Sequence, residues 1–204
     1  MARSRRTGHT HPRMGERLRA ERQARGLSLR DLAERLDVSP SLISQIETGR
    51  ARPSVRTLYA LCGELGVSMD DLVFDGDALG PPARARAEPV QRATSRRRIR
   101  LGSGVVWERL TTTSDPETEF LYVTYEVGGA SSPEHEFQRH GGREWGCVLE
   151  GHLGVTSGFE DHELGPGDSI TLDSTTPHRL YNRGDVPVHA IWFVLGRRSM
   201  EPER

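Results

Sequence analysis

The chain has 204 residues, enough for one or two domains, with 34% hydrophobic content and a mean hydropathy of −0.60. No apolar run approaches a membrane span, and no apolar segment follows the Arg-rich start as a secretion signal would require, so a cytoplasmic protein without membrane contact is expected. The net charge of −1 conceals a division. All 28 basic residues are Arg, and residues 1–60 carry 13 Arg against 6 acidic residues whereas residues 101–204 carry 8 against 17. A basic front and an acidic back suit a nucleic-acid reader joined to a separate domain that does not bind DNA.

Met1 to Pro12 is Arg-rich without an apolar face and reads as a disordered basic arm, whose Arg3, Arg5 and Arg6 could reach a DNA backbone. A first helix is predicted over Glu16 to Arg25, with Leu18 inward. Leu29, Leu32, Ala33 and Leu36 then repeat at helical spacing behind Ser28 as N-cap. A break at Asp37-Val38 leads to a second cap, Ser39, with Pro40 at the first helical position, where its missing N–H costs nothing. Leu42, Ile43 and Ile46 turn inward and Gly49 stops the helix, leaving Pro40, Ser41, Ser44 and Gln45 outward. Two short helices joined by a tight turn, the second with a small polar face, make an arrangement able to present side chains to base edges. Val55 to Leu65 continues helical, and Ser68 caps a last turn through Phe74.

This stretch resembles the helix-turn-helix of the XRE family of bacterial and phage repressors. The likeness rests on Leu32-Ala33, Leu36, Val38-Ser39, Ile43-Ser44, Ile46-Glu47, Gly49, Pro53-Ser54, Leu58 and Leu65-Gly66-Val67, and it runs from about Arg13 to Phe74. It implies an all-α, five-helix, lambda-repressor-like DNA-binding domain over 13–75, with double-stranded DNA as partner. The contact residues it implies are Arg30, Ser39, Pro40, Ser41, Ser44, Gln45, Arg50 and Arg52, with Gln45 where family members place a base-reading Gln. Leu29 departs from the pattern, standing where many relatives carry a phosphate-contacting Gln.

Residues 76–100, with prolines at 81, 82 and 89 and the run Arg96-Arg97-Arg98, read as a semi-extended linker. From Leu101 the period changes to two. Strands are predicted at Val105–Trp107, Phe120–Val127, Trp145–Leu149, His152–Thr156, Ser169–Leu172, His178–Tyr181 and Val186–Leu195, separated by Gly, Pro, Asn and Asp, as in a sandwich or small barrel. Cys62 and Cys147 have no metal or redox spacing and read as small core residues. The Gly pairs open no helix after a strand, and no nucleophile elbow is present, so neither a nucleotide loop nor covalent hydrolysis is indicated.

Two phrases in this half carry chemistry: His140-Gly-Gly-Arg-Glu144 through Gly151, and Gly165-Pro-Gly167 through Pro177-His178 to Asn182. Together they resemble the signature motifs of cupins, small all-β jelly-roll barrels, which sets a second domain at 101–198. The family's fullest metal set is three His and one Glu. Here Gln138 occupies the first His position, leaving His140, Glu144 and His178, with His135 a weak substitute in a polar loop. Such a set could hold one divalent ion (Fe, Mn, Ni or Zn), and as a facial triad with open positions it suits non-haem iron. The combined resemblance implies a non-enzymatic transcription regulator, most simply a repressor. It would be a homodimer on an inverted-repeat operator, with a small-molecule effector in the barrel. Two other readings stay open: a cupin-type non-haem iron oxygenase or epoxidase, such as that of phosphonate antibiotic synthesis, and a binding module whose helices serve only assembly.

Overall fold

The computed structural model describes residues 12–74, 89–115 and 117–196. The basic arm, except Pro12, and most of the expected linker lie outside the described residues. Helices α1 (Pro12–Ala24), α2 (Leu29–Arg35), α3 (Pro40–Glu47) and α4 (Val55–Leu65) are followed by the short turn α5 (Met69–Val73). Their starts are chemical. Ser28 and Asp31 close a capping box over α2, the Asp31 N–H donating to Ser28 Oγ (3.1 Å) and the Ser28 N–H to the Asp31 carboxylate (2.7 Å). Ser39 accepts from the Leu42 N–H with Pro40 in the first turn, and Ser54 accepts from the Thr57 N–H. Asp37 turns the chain between α2 and α3 at φ 52°, and Gly66 ends α4 at φ 60°. Leu18, Leu32, Ile43, Ile46, Leu58, Leu61 and Leu65 form the fully buried centre of this part.

The C-terminal part is two antiparallel sheets. Strands β1 (Arg98–Arg100), β2 (Val105–Arg109), β3 (Thr118–Tyr125), β4 (Arg143–Glu150), β7 (Ser169–Asp173) and β9 (Val188–Leu195) pair in the order β1-β2-β3-β9-β4-β7. Strands β5 (Leu153–Ser157), β6 (Glu160–Leu164) and β8 (His178–Tyr181) form the order β6-β5-β8. Alternation on β9 shows the logic: Val188, Ala190, Trp192 and Val194 are buried between the sheets, while His189, Ile191 and Phe193 face the other way.

Three expectations need correction. The linker read over 76–100 ends earlier, because Arg98–Arg100 is an edge strand: Ile99 is buried, the two flanking Arg are exposed, and all three residues pair with β2. Strand β6, whose sequence Glu-Asp-His-Glu-Leu carries no alternating apolar signal, exists because the hairpin at Gly158 lays it along β5. Cys147 is not core: it lies half-buried on the outward face of β4, whereas Cys62 is buried as expected.

The two parts dock on each other. The Arg56 N–H donates to the Ser131 carbonyl (3.1 Å) and the Gly102 N–H to the Pro53 carbonyl (2.9 Å). Gly102 is required there, since a Cβ on it would stand 2.4 Å from the Arg52 carbonyl oxygen. Arg109 lies over the Phe74 ring, and the Arg97 guanidinium donates to the Phe74 carbonyl.

Candidate functional site

The helical part presents α3. Pro40, Ser41 and Gln45 are exposed and Ser44 is half-buried, with Gln45 Nε2 donating to Ser41 Oγ (3.2 Å). Ser39 is exposed, but its hydroxyl is engaged as the helix cap. Arg30 on α2 and Arg50 after α3 are exposed, and Arg52 is half-buried. Arg50, Arg52 and Arg100 line one groove with Glu126, so the edge strand adds a positive charge beside the end of α3. Of the expected contact residues, all but Ser44 and Arg52 are exposed, and Arg50 and Arg52 share one groove.

Sequence reading missed what holds α3 in place. Arg22 on α1 forms a two-pronged ion pair with Glu47 at the end of α3: Nε to Oε1 at 2.6 Å and Nη2 to Oε2 at 3.0 Å. Its third nitrogen donates to the Leu27 carbonyl (2.7 Å). Both side chains are at least nine-tenths buried, so this is a desolvated, directional clamp. The residues stand 25 positions apart, and no local pattern joins them.

In the barrel the structure brings together the three expected ligands. Glu144 lies on β4 of the larger sheet, His140 four residues before it, and His178 at the start of β8 on the smaller sheet. Their candidate ligand atoms all lie within 4.8 Å of one another. Glu144 and His140 are 2% and 6% exposed, and His178 is fully enclosed. His140 Nδ1 meets the Gly141 carbonyl (2.9 Å) and His178 Nδ1 meets the Thr176 carbonyl (2.8 Å). A carbonyl can only accept, so each Nδ1 carries a proton, and the neutral form of each ring leaves its Nε2 with a lone pair. Those two Nε2 atoms stand 2.8 and 3.2 Å from Glu144 Oε1, in neither case with the direction of a hydrogen bond. Three lone-pair atoms at that separation repel unless a proton or a cation lies among them. Ligand atoms about 2.1 Å from one ion and at right angles to each other stand about 3.0 Å apart, and the two Nε2–Oε1 separations match that figure.

Further residues tune the cluster. Trp192 Nε1 donates to Glu144 Oε2 (2.5 Å) and Ser174 Oγ to Oε1 (3.1 Å). Burial by itself raises the Glu144 carboxyl, but the two imidazoles outweigh it and hold the group well below the usual carboxylate range. For His178 burial lowers the pKa, and the adjacent Glu144 outweighs that, leaving the ring above its ordinary value. Burial, and then the Glu144 charge, push the enclosed Tyr125 phenol up.

Gln138 pairs across the strands with His178, the two exchanging backbone hydrogen bonds (2.9 and 3.0 Å), so its side chain shares the His178 face. It is 5% exposed, and its Oε1 has no hydrogen-bond partner. His135 is exposed in its loop. Asn182 is spent on structure: its amide donates to the Tyr125, Glu126 and Val186 carbonyls and its oxygen accepts from Gly184. Trp192, Ser174 and Tyr125 carried no sequence signal beyond being apolar or polar residues on predicted strands or loops.

Comparison with known proteins agrees with this geometry. Residues 18–72 match the Helix-turn-helix family and residues 121–194 the Cupin domain family. The HTH-type transcriptional regulator PuuR of Escherichia coli (strain K12) is 31% identical over 170 residues, covering 82% of this chain and 86% of that one. A crystal structure of an HTH_3 family transcriptional regulator from Vibrio cholerae superposes with a TM-score of 0.63 at 22% identity, covering 92% of this chain and 97% of that one. The hydroxypropylphosphonic acid epoxidase of S. wedmorenis covers 93% of this chain and 100% of its own, at 21% identity and a TM-score of 0.46. With both halves matched in order along one relative, the chain belongs to the XRE-type helix-turn-helix transcriptional regulators that carry a cupin domain.

Proposed function

We propose that this regulator reads an inverted-repeat operator as a homodimer and senses a small molecule at a divalent metal in its barrel. The observation that carries the sensor half is the convergence of two buried imidazole Nε2 atoms on one carboxylate oxygen, at 2.8 and 3.2 Å. His140, Glu144 and His178 would hold the ion, and the unpartnered Gln138 oxygen makes a fourth donor. The ion would supply Lewis acidity and open positions for an oxygen- or nitrogen-bearing effector. Trp192 and Ser174 orient the Glu144 carboxylate, and the Gly141 and Thr176 carbonyls favour the imidazole tautomers that turn Nε2 toward the ion.

On the DNA side, Gln45 with Ser41 and Ser44 reads bases while Arg30, Arg50 and Arg52 contact phosphate. Each protomer offers one short reading helix, so an inverted repeat requires a second copy. The outer face of the larger sheet supports that pairing. Phe120, Phe193 and Trp145 form a row across β3, β9 and β4, with ring centroids 6.1 and 5.8 Å apart. Leu149 and Leu195 extend it and remain 43% and 44% exposed, an apolar face of the kind that associates. Occupancy of the barrel then biases how the two helical domains are placed, and operator affinity follows. The resulting control is most simply repression.

The test is selection of bound sequences from a random duplex library, followed by binding to the selected site with and without Fe(II), Mn(II), Ni(II) or Zn(II). Oxygen uptake by the iron-loaded protein runs beside it. Sequence-specific binding that depends on His178 for its metal response supports the proposal. Oxygen-consuming turnover with no sequence-specific DNA binding overturns it in favour of an enzyme.

A further inference from the structure

Helix α4 has two faces. Val55, Leu58, Leu61, Cys62 and Leu65 are buried among the helices, whereas Arg56 and Tyr59, one turn apart, point to the barrel. Arg56 reaches Glu136 (2.8 Å). The Tyr59 hydroxyl donates to Glu119 of β3 (3.3 Å), and its ring lies 5.5 Å from that of Trp107 and 5.3 Å from that of His140. The His140 ring in turn meets the His178 ring edge-on at 5.3 Å. A continuous line of rings therefore runs from the DNA-binding domain into the ligand cluster. His140 is the one ligand of the three that lies outside a regular strand, and α4 supplies the ring packed against it.

The first turn of α4 shows the same dependence. Amides in a helix's first turn lack intrahelical acceptors. Ser54 satisfies Thr57, but the Arg56 N–H is satisfied by Ser131 of the barrel. That one hydrogen bond exists only while the domains are docked.

We propose that Tyr59 is a positioning residue for the barrel site. It holds the His140 ring in its ligating orientation from the DNA-binding domain, so that filling the site tightens the docking of α4. This rests on the metal-site reading above. With the ion bound, His140 loses the freedom to turn, and the surface that Tyr59 packs on becomes fixed. The same contact that steadies the ligand thus reports its state to the helical domain.

The experiment uses the full chain with Zn(II) or Co(II) alone. Tyr59→Ala should weaken metal affinity about tenfold or more, the range seen when groups supporting a ligand are removed. Tyr59→Phe, which keeps the ring and gives up the Glu119 bond, should bind nearly as wild type. Residue-resolved hydrogen exchange should show the Arg56 and Gly102 amides slowing about fivefold or more on metal addition in wild type. Neither should slow in Tyr59→Ala. If that variant fails to fold, Tyr59→Leu replaces it, and the wild-type exchange arm decides by itself. A wild-type protein that takes no metal overturns the metal reading and this inference with it. A protein that binds metal through His178, with Arg56 exchange unmoved and Tyr59→Ala binding normally, overturns this inference alone.

Discussion

Replacing Glu47 with Ala tests how α3 is held. Residue Arg22 is 7% exposed in the folded chain, and the change removes its two carboxylate bonds while the Leu27 carbonyl keeps one nitrogen. Breaking a buried ion pair from one side costs about 3–5 kcal/mol, because the remaining charge stays desolvated. A domain the size of residues 12–74 is stable by roughly 3–9 kcal/mol at ~0.05–0.15 kcal/mol per residue, so most of that margin is at stake. With a urea slope near ~1.5 kcal/mol/M, the helical transition should move down by about 2–3 M. The assay separates the domains, since all three tryptophans (Trp107, Trp145 and Trp192) lie on barrel strands β2, β4 and β9. Tryptophan fluorescence follows the barrel, with Trp107 also registering loss of the docked Tyr59, while far-ultraviolet dichroism is dominated by the helices. Removing both charges together, Arg22→Met with Glu47→Leu, should recover most of the loss, as apolar replacements of buried pairs do. A Glu47→Ala cost under about 1 kcal/mol, or a double variant no better than the single, would refute the view that this pair is a desolvated clamp.

Gln45→Ala should weaken binding to the selected operator by roughly 1–3 kcal/mol and leave random duplex nearly unaffected. Equal loss on both removes Gln45 from base reading. Gly146→Ala would place a Cβ 1.9 Å from the Trp192 ring, forcing the indole off Glu144. Zinc titration should show affinity falling about 10–100-fold, with overpacking lowering barrel stability by about 1–3 kcal/mol; unchanged affinity would mean Trp192 does not orient the carboxylate. If the proposed dimer forms through the outer aromatic row, Trp145→Arg should leave the protein monomeric in sedimentation, because it puts a charge in that row. A dimer that persists would place the contact elsewhere.

Much of the helical part was legible in the chain because its signals are local. Ser28, Ser39 and Ser54 cap helices through residues three positions on, and the apolar spacing of Leu29 to Leu36 and of Leu42 to Ile46 states which side turns inward. The strands with a period of two were legible for the same reason, and the spacing of His140, Glu144 and His178 picked out three residues that meet in the barrel. The tertiary structure decided the rest. Strands β1 and β6 carry little apolar content and form because a neighbour supplies their hydrogen bonds. Glu47 looked like an ordinary polar helix residue until α1 brought Arg22 to it, and Trp192 was one apolar residue of a strand until pairing of β9 with β4 brought its indole to Glu144. Tyr59 follows the apolar period of α4, yet it faces the other domain and touches His140. Caps and periodicity are properties of residues within a turn or two of one another, so the order of the chain contains them. Partners 25 to 81 positions apart meet only after the chain has closed its loops and packed its sheets, and no local pattern in either partner records the meeting.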